Sequence, residues 1–192
     1  GSRSTALAVS MRITSNGARI RHSDRDTTGY RVQVNRTRHL RLPGIILVVT
    51  VLLDQLTKWW AEDSLSDGDT FGLLPTLEFD LAYNSGFSFS TGSGQGQWVG
   101  GLVILLCIYL GIMISRTTDR VRLSVLATIL GGALGNLIDR LFRGDGGFLS
   151  GEVIDFIDVS WYAVFNVADM FVVCGCIAYV IVELREHRAA PK

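Results

Sequence analysis

Histidine is scarce in this chain of 192 residues: His22, His39 and His187 are the only three, and all lie in the terminal segments. There is no HExxH and no Cys/His cluster, so zinc hydrolysis has no ligand set, and no metal or other cofactor is expected. No GxSxG occurs either, and no histidine falls near the face where a serine nucleophile would need its base. Cysteine is sparse as well. Cys107, Cys174 and Cys176 fall within apolar runs and read as small buried hydrophobes, the last two being spaced to face different sides of a helix rather than to form a CxxC redox pair. Lysine and arginine are missing altogether from residues 61 to 97, which carry Glu62, Asp63, Asp67, Asp69, Glu78 and Asp80. By the positive-inside rule such a segment lies outside the cytoplasm.

Apolar residues, by contrast, are plentiful. At 48% of the chain, with a positive mean hydropathy, they exceed what a soluble domain carries, and they are clustered rather than periodic. Lipid is the expected solvent. A first helix follows Pro43 and Gly44 as IILVVTVLLDQLTKWWA, interrupted by Asp54 and closed by Lys58, Trp59 and Trp60, residues that suit an interfacial belt. It lacks the signal-peptide combination of a short n-region before the run and a small-residue cleavage site after it, so it reads as a retained helix rather than a signal peptide. Further helices are expected over about residues 98 to 115, 123 to 141 and 164 to 184. Between the first two, LEFDLAYNSGFSFS alternates apolar and polar residues and breaks at Asn84-Ser85-Gly86, which predicts a small extracytoplasmic β element lying on the membrane surface.

Charge sets the topology. Residues 1 to 41 hold nine arginines against Asp24 and Asp26, an excess of +7, and the loop from Arg116 to Arg122 has three arginines against Asp119. Both belong in the cytoplasm, which gives four spans with both termini inside. Residues 1–42 are expected to be a basic, disordered cytoplasmic extension, with Gly1-Ser2 a tag remnant; an arm for nucleic acid or anionic lipid is the less favoured reading. Residues 43–185 form the membrane domain, and 186–192 a cytoplasmic tail.

Several carboxylates stand where apolar segments meet their loops: Asp139 in GGALGNLIDR, Asp155 in VIDF and Asp169 in FNVAD. The topology carries all three to the extracytoplasmic face, and an ionisable group at membrane depth is a functional candidate by default. Asp54 has Lys58 one turn on, so it reads both as an ion-pair partner and as a polar anchor inside the bundle. Asp139 precedes Arg140 and is expected to pair with it. Asp155, in the loop after the third helix, and Asp169 have no adjacent cation, and two carboxylates held close share one proton. Asp158 rivals Asp155. Asn136 and Asp139 are three apart and share a helix face, and Asn166 and Asp169 repeat that spacing, which lets an amide hold each carboxylate. Gly131 and Gly135 make a small-xxx-small pair for close helix packing, and Asn84 reads first as a turn residue. A dyad of this kind hydrolyses a peptide without metal, one carboxylate taking a proton from water while the other donates to the carbonyl.

Together DQLTK at 54 to 58, NSGFSF at 84 to 89, GGALGNLIDR at 131 to 140, VIDFID at 153 to 158 and FNVAD at 165 to 169 resemble, in order, the lipoprotein signal peptidases (signal peptidase II), bacterial membrane aspartyl peptidases. The resemblance covers about residues 43 to 184. It implies an endopeptidase of the bacterial cytoplasmic (inner) membrane that cuts the signal peptide of prolipoproteins just before a diacylglyceryl-modified cysteine, with its active site toward the extracytoplasmic face. It also implies a dyad of Asp155 and Asp169, substrate-contacting or supporting roles for Asn84, Gly86, Asn136, Asp139, Arg140 and Asn166, and Asp54 as a polar support. Prolipoproteins and membrane lipid are the partners implied, and the cyclic peptide globomycin the inhibitor; nucleic acid is not a partner, and a monomer is expected. Two features depart from the family's pattern: the N-terminal extension, and GDGGFLSGE at 144 to 152. From another class, a small transporter or proton channel would use Asp54, Asp139 and Asp169 as a relay, which requires acids spread across the bilayer. A structural subunit held by glycine packing would leave the carboxylates unexplained.

Overall fold

The computed structural model describes residues 36–86, 96–144 and 147–189. The expected extension up to residue 35, His22 within it, and the end of NSGFSF lie outside the described residues. Four helices account for most of the rest: α1 (Arg36–Leu65), α2 (Gly96–Arg116), α3 (Arg120–Phe142) and α4 (Val167–Ala189), each containing a stretch long and apolar enough to cross a membrane. Helix α1 starts earlier than its apolar run, so Pro43 lies inside it. The run marks the part that suits hydrocarbon, and backbone hydrogen bonding continues past it into polar sequence.

Helix α3 is the axis of the bundle, packing against α1, α2 and α4. Half of its apolar window is buried in protein, against 11–17% for the other three, which turn most of their apolar side chains outward as lipid-facing helices do. Its start is capped by Asp119, whose carboxylate accepts from Arg122 N at 2.8 Å. Gly131 and Gly135 let α1 close in: a methyl group at Gly131 would lie 2.7 Å from Thr50 Cβ, and one at Gly135 would run into the Asp54 carboxylate. The expected small-residue seam is therefore the α1–α3 contact.

A three-stranded antiparallel sheet, β1 (Phe71–Leu74), β2 (Leu77–Asn84) and β3 (Val153–Asp158), covers the end of the bundle where α1 and α3 finish and α4 begins. Its inner face meets Ala61 and Leu65 of α1 through Ile154 and Phe156, and Trp60 stands edge-on to Phe79 and Phe156 with ring centroids 5.4 and 6.1 Å away. The turn at Asn84-Ser85-Gly86 ends β2 where alternation broke in the sequence. The third strand corrects the expectation that Asp155 sits in a loop: VIDFID pairs with β2, placing Ala82 opposite Asp155 and Asn84 opposite Val153. The cysteines also differ from expectation. Cys174 and Cys176 are exposed and Cys107 is half-buried, because in a lipid-facing helix an apolar residue gains nothing further from burial in protein.

Candidate active site

Two polar clusters meet beneath the sheet. The inner one is built on Lys58, whose side chain is fully buried and whose ammonium offers three protons. It finds three acceptors: Asp54 Oδ2 at 2.9 Å, Asp139 Oδ2 at 2.7 Å and Asn136 Oδ1 at 2.8 Å. Asp54, one turn back on α1, also accepts Ala168 N at 3.0 Å, which ties α1 to the first turn of α4. The Gln55 amide reaches Gly135 O and Asp139 Oδ1, both at 3.1 Å. Asp139 pairs with Lys58 and, at 3.0 Å, with Arg143 Nε. The expected Asp139–Arg140 pair does not form, because adjacent residues on a helix point about 100° apart while i and i+4 share a face.

The outer cluster holds the other two carboxylates. Asn166 is the N-cap of α4 and Asp169 its third residue, and they bond reciprocally: Asp169 N donates to Asn166 Oδ1 at 3.0 Å and Asn166 N to Asp169 Oδ2 at 3.1 Å. The remaining Asp169 oxygen accepts Asn136 Nδ2 at 2.8 Å. So Asn136, with its oxygen fixed on Lys58, has only its amino group to offer Asp169. The Asn166 amide in turn reaches Asp155 Oδ1 at 2.6 Å and Asn136 Oδ1 at 3.0 Å. Asp155 Oδ2 accepts Asn84 Nδ2 at 3.0 Å, and Asn84 Oδ1 accepts Gly86 N at 3.0 Å. The turn residue of the sequence thus also orients a carboxylate.

Asp155 is 3% exposed. Burial pushes its carboxyl up to about 6; the Asn84 hydrogen bond opposes this, and the charge of nearby Asp169 adds to it.

Both carboxylates, with Asn84, Gly86, Asn136 and Arg140, line one cavity of about 590 Å³, walled otherwise by apolar side chains from α2 and α4 such as Val99, Val103, Met170 and Val173. Arg140 is 4% exposed; its Nη2 lies 3.5 Å from Gly86 O, and its Nη1 has no partner among the described residues. Asp158 does not line this cavity, since a strand separation of three turns its side chain to the opposite face from Asp155. Asp54, Asp139 and Asn166 support the lining residues from behind. Among the described residues no group of three His, Cys, Asp or Glu side chains is arranged to hold a metal ion. The acids a relay would need, Asp54, Asp139 and Asp169, are gathered at one end of the bundle around Lys58 and Asn136 rather than spread along it.

Lys58 and Gln55 went unassigned as site residues in the sequence. The i, i+4 spacing of Asp54 and Lys58 was the available signal for the first; nothing local marked the second.

Comparison with known proteins points to one family. The family model for signal peptidase II matches residues 46–185. A lipoprotein signal peptidase of Bifidobacterium longum subsp. infantis is 39% identical over 140 residues, 72% of this chain and 76% of that protein. One from Mycobacterium tuberculosis is 41% identical over 150 residues, 77% of this chain and 73% of that protein. A solved bacterial membrane enzyme superposes with a TM-score of 0.65 at 26% identity, covering 78% of this chain and 92% of its own. Four helices, a sheet over paired carboxylates and this run of similarity lead to one statement: the chain belongs to the signal peptidase II family.

Proposed function

We propose that Asp155 and Asp169 are the proton-sharing pair of a membrane endopeptidase that removes the signal peptide from diacylglyceryl-modified prolipoproteins, cutting before the lipid-bearing cysteine. The observation that carries this is the Asn166 residue between them, bonded to Asp155 through its amide and to Asp169 through its backbone, with both acids on one cavity wall. Water held between the carboxylates loses a proton to Asp169 as its oxygen attacks the scissile carbonyl, and Asp155 gives its proton to the carbonyl oxygen. In the second step Asp169 passes its proton to the departing amide nitrogen, Asp155 recovers one from a hydroxyl of the tetrahedral intermediate, and the C–N bond breaks. Asp155 takes the acid's part because burial holds its proton to higher pH. Arg140 Nη1 is free to donate to a backbone carbonyl of the substrate.

The substrate enters from the bilayer, past the apolar side chains of α2 and α4. The active site faces the extracytoplasmic side of the bacterial inner membrane, with both termini in the cytoplasm; charge asymmetry supports that orientation. One bundle suffices for catalysis, so the working unit is a monomer in membrane lipid, and globomycin is expected to block it by occupying the cavity.

Gel-shift cleavage of a diacylglyceryl-modified prolipoprotein tests this reading with folded wild type, Asp155→Asn, Asp169→Asn and Asp139→Asn. The first two variants should lose on the order of 10²–10⁴ in rate, since Asn can neither take nor give the proton. Cleavage by Asp155→Asn together with none by Asp139→Asn would move the dyad to Asp139 and Asp169.

A further inference from the structure

The segment between α3 and β3 has the one residue other than glycine with a positive φ among the described residues. Leu149 sits at φ 60°, a region that a residue with a β-carbon occupies only when its surroundings hold it there. Here they do. Leu149 is 4% exposed, and it seats on Gly100 of α2 so closely that a methyl group at Gly100 would lie 3.0 Å from both its Cβ and its Cδ2. On its other side the loop is tied to the last turn of α3: Gly151 N donates to Arg140 O at 3.0 Å, and a methyl at Gly151 would collide with the Asp139 and Arg140 carbonyls. Ser150 closes the tip, donating from N and Oγ to Gly147 O at 3.2 and 2.7 Å.

Helix α2 needs such a contact. Among the named elements it packs only against α3, yet Val99 and Val103, on either side of Gly100, form the cavity wall. From Ser150 the chain runs straight into β3, which carries Val153 and Asp155. One side chain therefore joins the α2 wall to the strand bearing a carboxylate of the site.

We propose that Leu149 is a positioning residue: a latch on Gly100 that sets how far the α2 wall stands from Asp155, and so which side chains beside the scissile bond fit the cavity. This rests on the hydrolytic reading above. The wall meets the bound substrate and takes no part in proton transfer, so releasing it weakens binding and blunts size discrimination while leaving the chemical step intact.

The kinetic test uses full-length protein and diacylglyceryl-cysteine prolipoprotein peptides bearing Gly, Ala or Leu before the cysteine. Leu149→Ala should raise KM about tenfold, hold kcat within about twofold, and narrow the spread of kcat/KM across the three peptides. Leu149→Gly separates wedge from strain. It removes the cost of the positive φ as well as the side chain, so it should match Leu149→Ala in KM while unfolding at a higher temperature. Leu149→Met, which can refill the seat, should stay near wild type. A readout independent of cleavage comes from nitroxides at Leu102→Cys and Ile177→Cys, both exposed, in a chain whose native cysteines are replaced by alanine. The α2–α4 distance distribution should broaden when Leu149 is Ala or Gly. Wild-type KM and an unbroadened distance in Leu149→Gly would overturn the latch. A broadened distance in a protein that cuts none of the peptides would uphold the latch and count against the hydrolytic reading.

Discussion

Replacing Lys58 with methionine keeps the length of the side chain and removes the one positive charge, among the described residues, that pairs with both Asp54 and Asp139. In the wild type the three side chains are fully buried, at 2.9 and 2.7 Å across the two ion pairs, with every ammonium proton accepted. After the change Asp139 keeps Arg143, which is partly exposed, but Asp54 keeps only the Ala168 N–H and the Gln55 amide. An uncompensated buried carboxylate costs about 3–5 kcal/mol. At roughly 2–4 °C per kcal/mol for a chain of this size, the unfolding midpoint should drop by roughly 6–20 °C. Scanning fluorimetry or circular dichroism in a matched detergent reads this directly, and Lys58→Met with Asp54→Asn completes a double-mutant cycle. Neutralising the stranded carboxylate should recover part of the loss, since the two sites are in contact and their effects cannot add. A loss below about 1 kcal/mol in the single variant, the scale of a solvated surface pair, would refute the reasoning, as would a double variant as unstable as the sum of the singles.

Three further outcomes follow from the outer cluster. With Asp155 the acid and its carboxyl pushed up to about 6, kcat/KM against pH, which reports the free enzyme, should fall on the alkaline side with a midpoint near that value. The same shift makes the folded state bind the proton more tightly than the unfolded chain. The Asp155 contribution to stability is therefore full below the ordinary carboxylate value of 3.8 and is lost as pH rises to about 6, which denaturant titration of wild type between those limits would detect. Asn166→Ala removes the cap of α4 and the amide shared by Asp155 and Asn136. It should cost about 1–2 kcal/mol of stability and at least about tenfold in kcat; Asn166→Ser, which restores the cap acceptor but not the amide bridge to Asp155, should recover stability without recovering kcat.

The helices were legible from hydropathy alone because lipid-facing segments must be apolar around most of their circumference; most ends shifted by a few residues, but α1 begins at Arg36, well before its apolar run at Ile45. Strand β3 was not legible. Its first four residues, Val153 to Phe156, are all buried, so the alternation that marks a half-exposed strand is lost, and its partner β2 is remote in the chain. The carboxylates at Asp155 and Asp169 stood out as charges without a neighbouring cation, whereas Asp139 misled because its neighbour in sequence was mistaken for its neighbour in space. Lys58 reads in the sequence as an interfacial residue by its place beside two tryptophans; only the fold reveals that α3 brings both Asp139 and Asn136 to it.

Asn166 and Asp169 serve the fourth helix and the cavity with the same atoms. A chain whose last helix has not wound its first turn therefore has no assembled pair of acids to offer, because the residue that would hold them together is still swinging free. If the two acids act as proposed, assembly and reactivity switch on together, and the peptidase carries a built-in delay: it can cut nothing until its own fourth helix has formed.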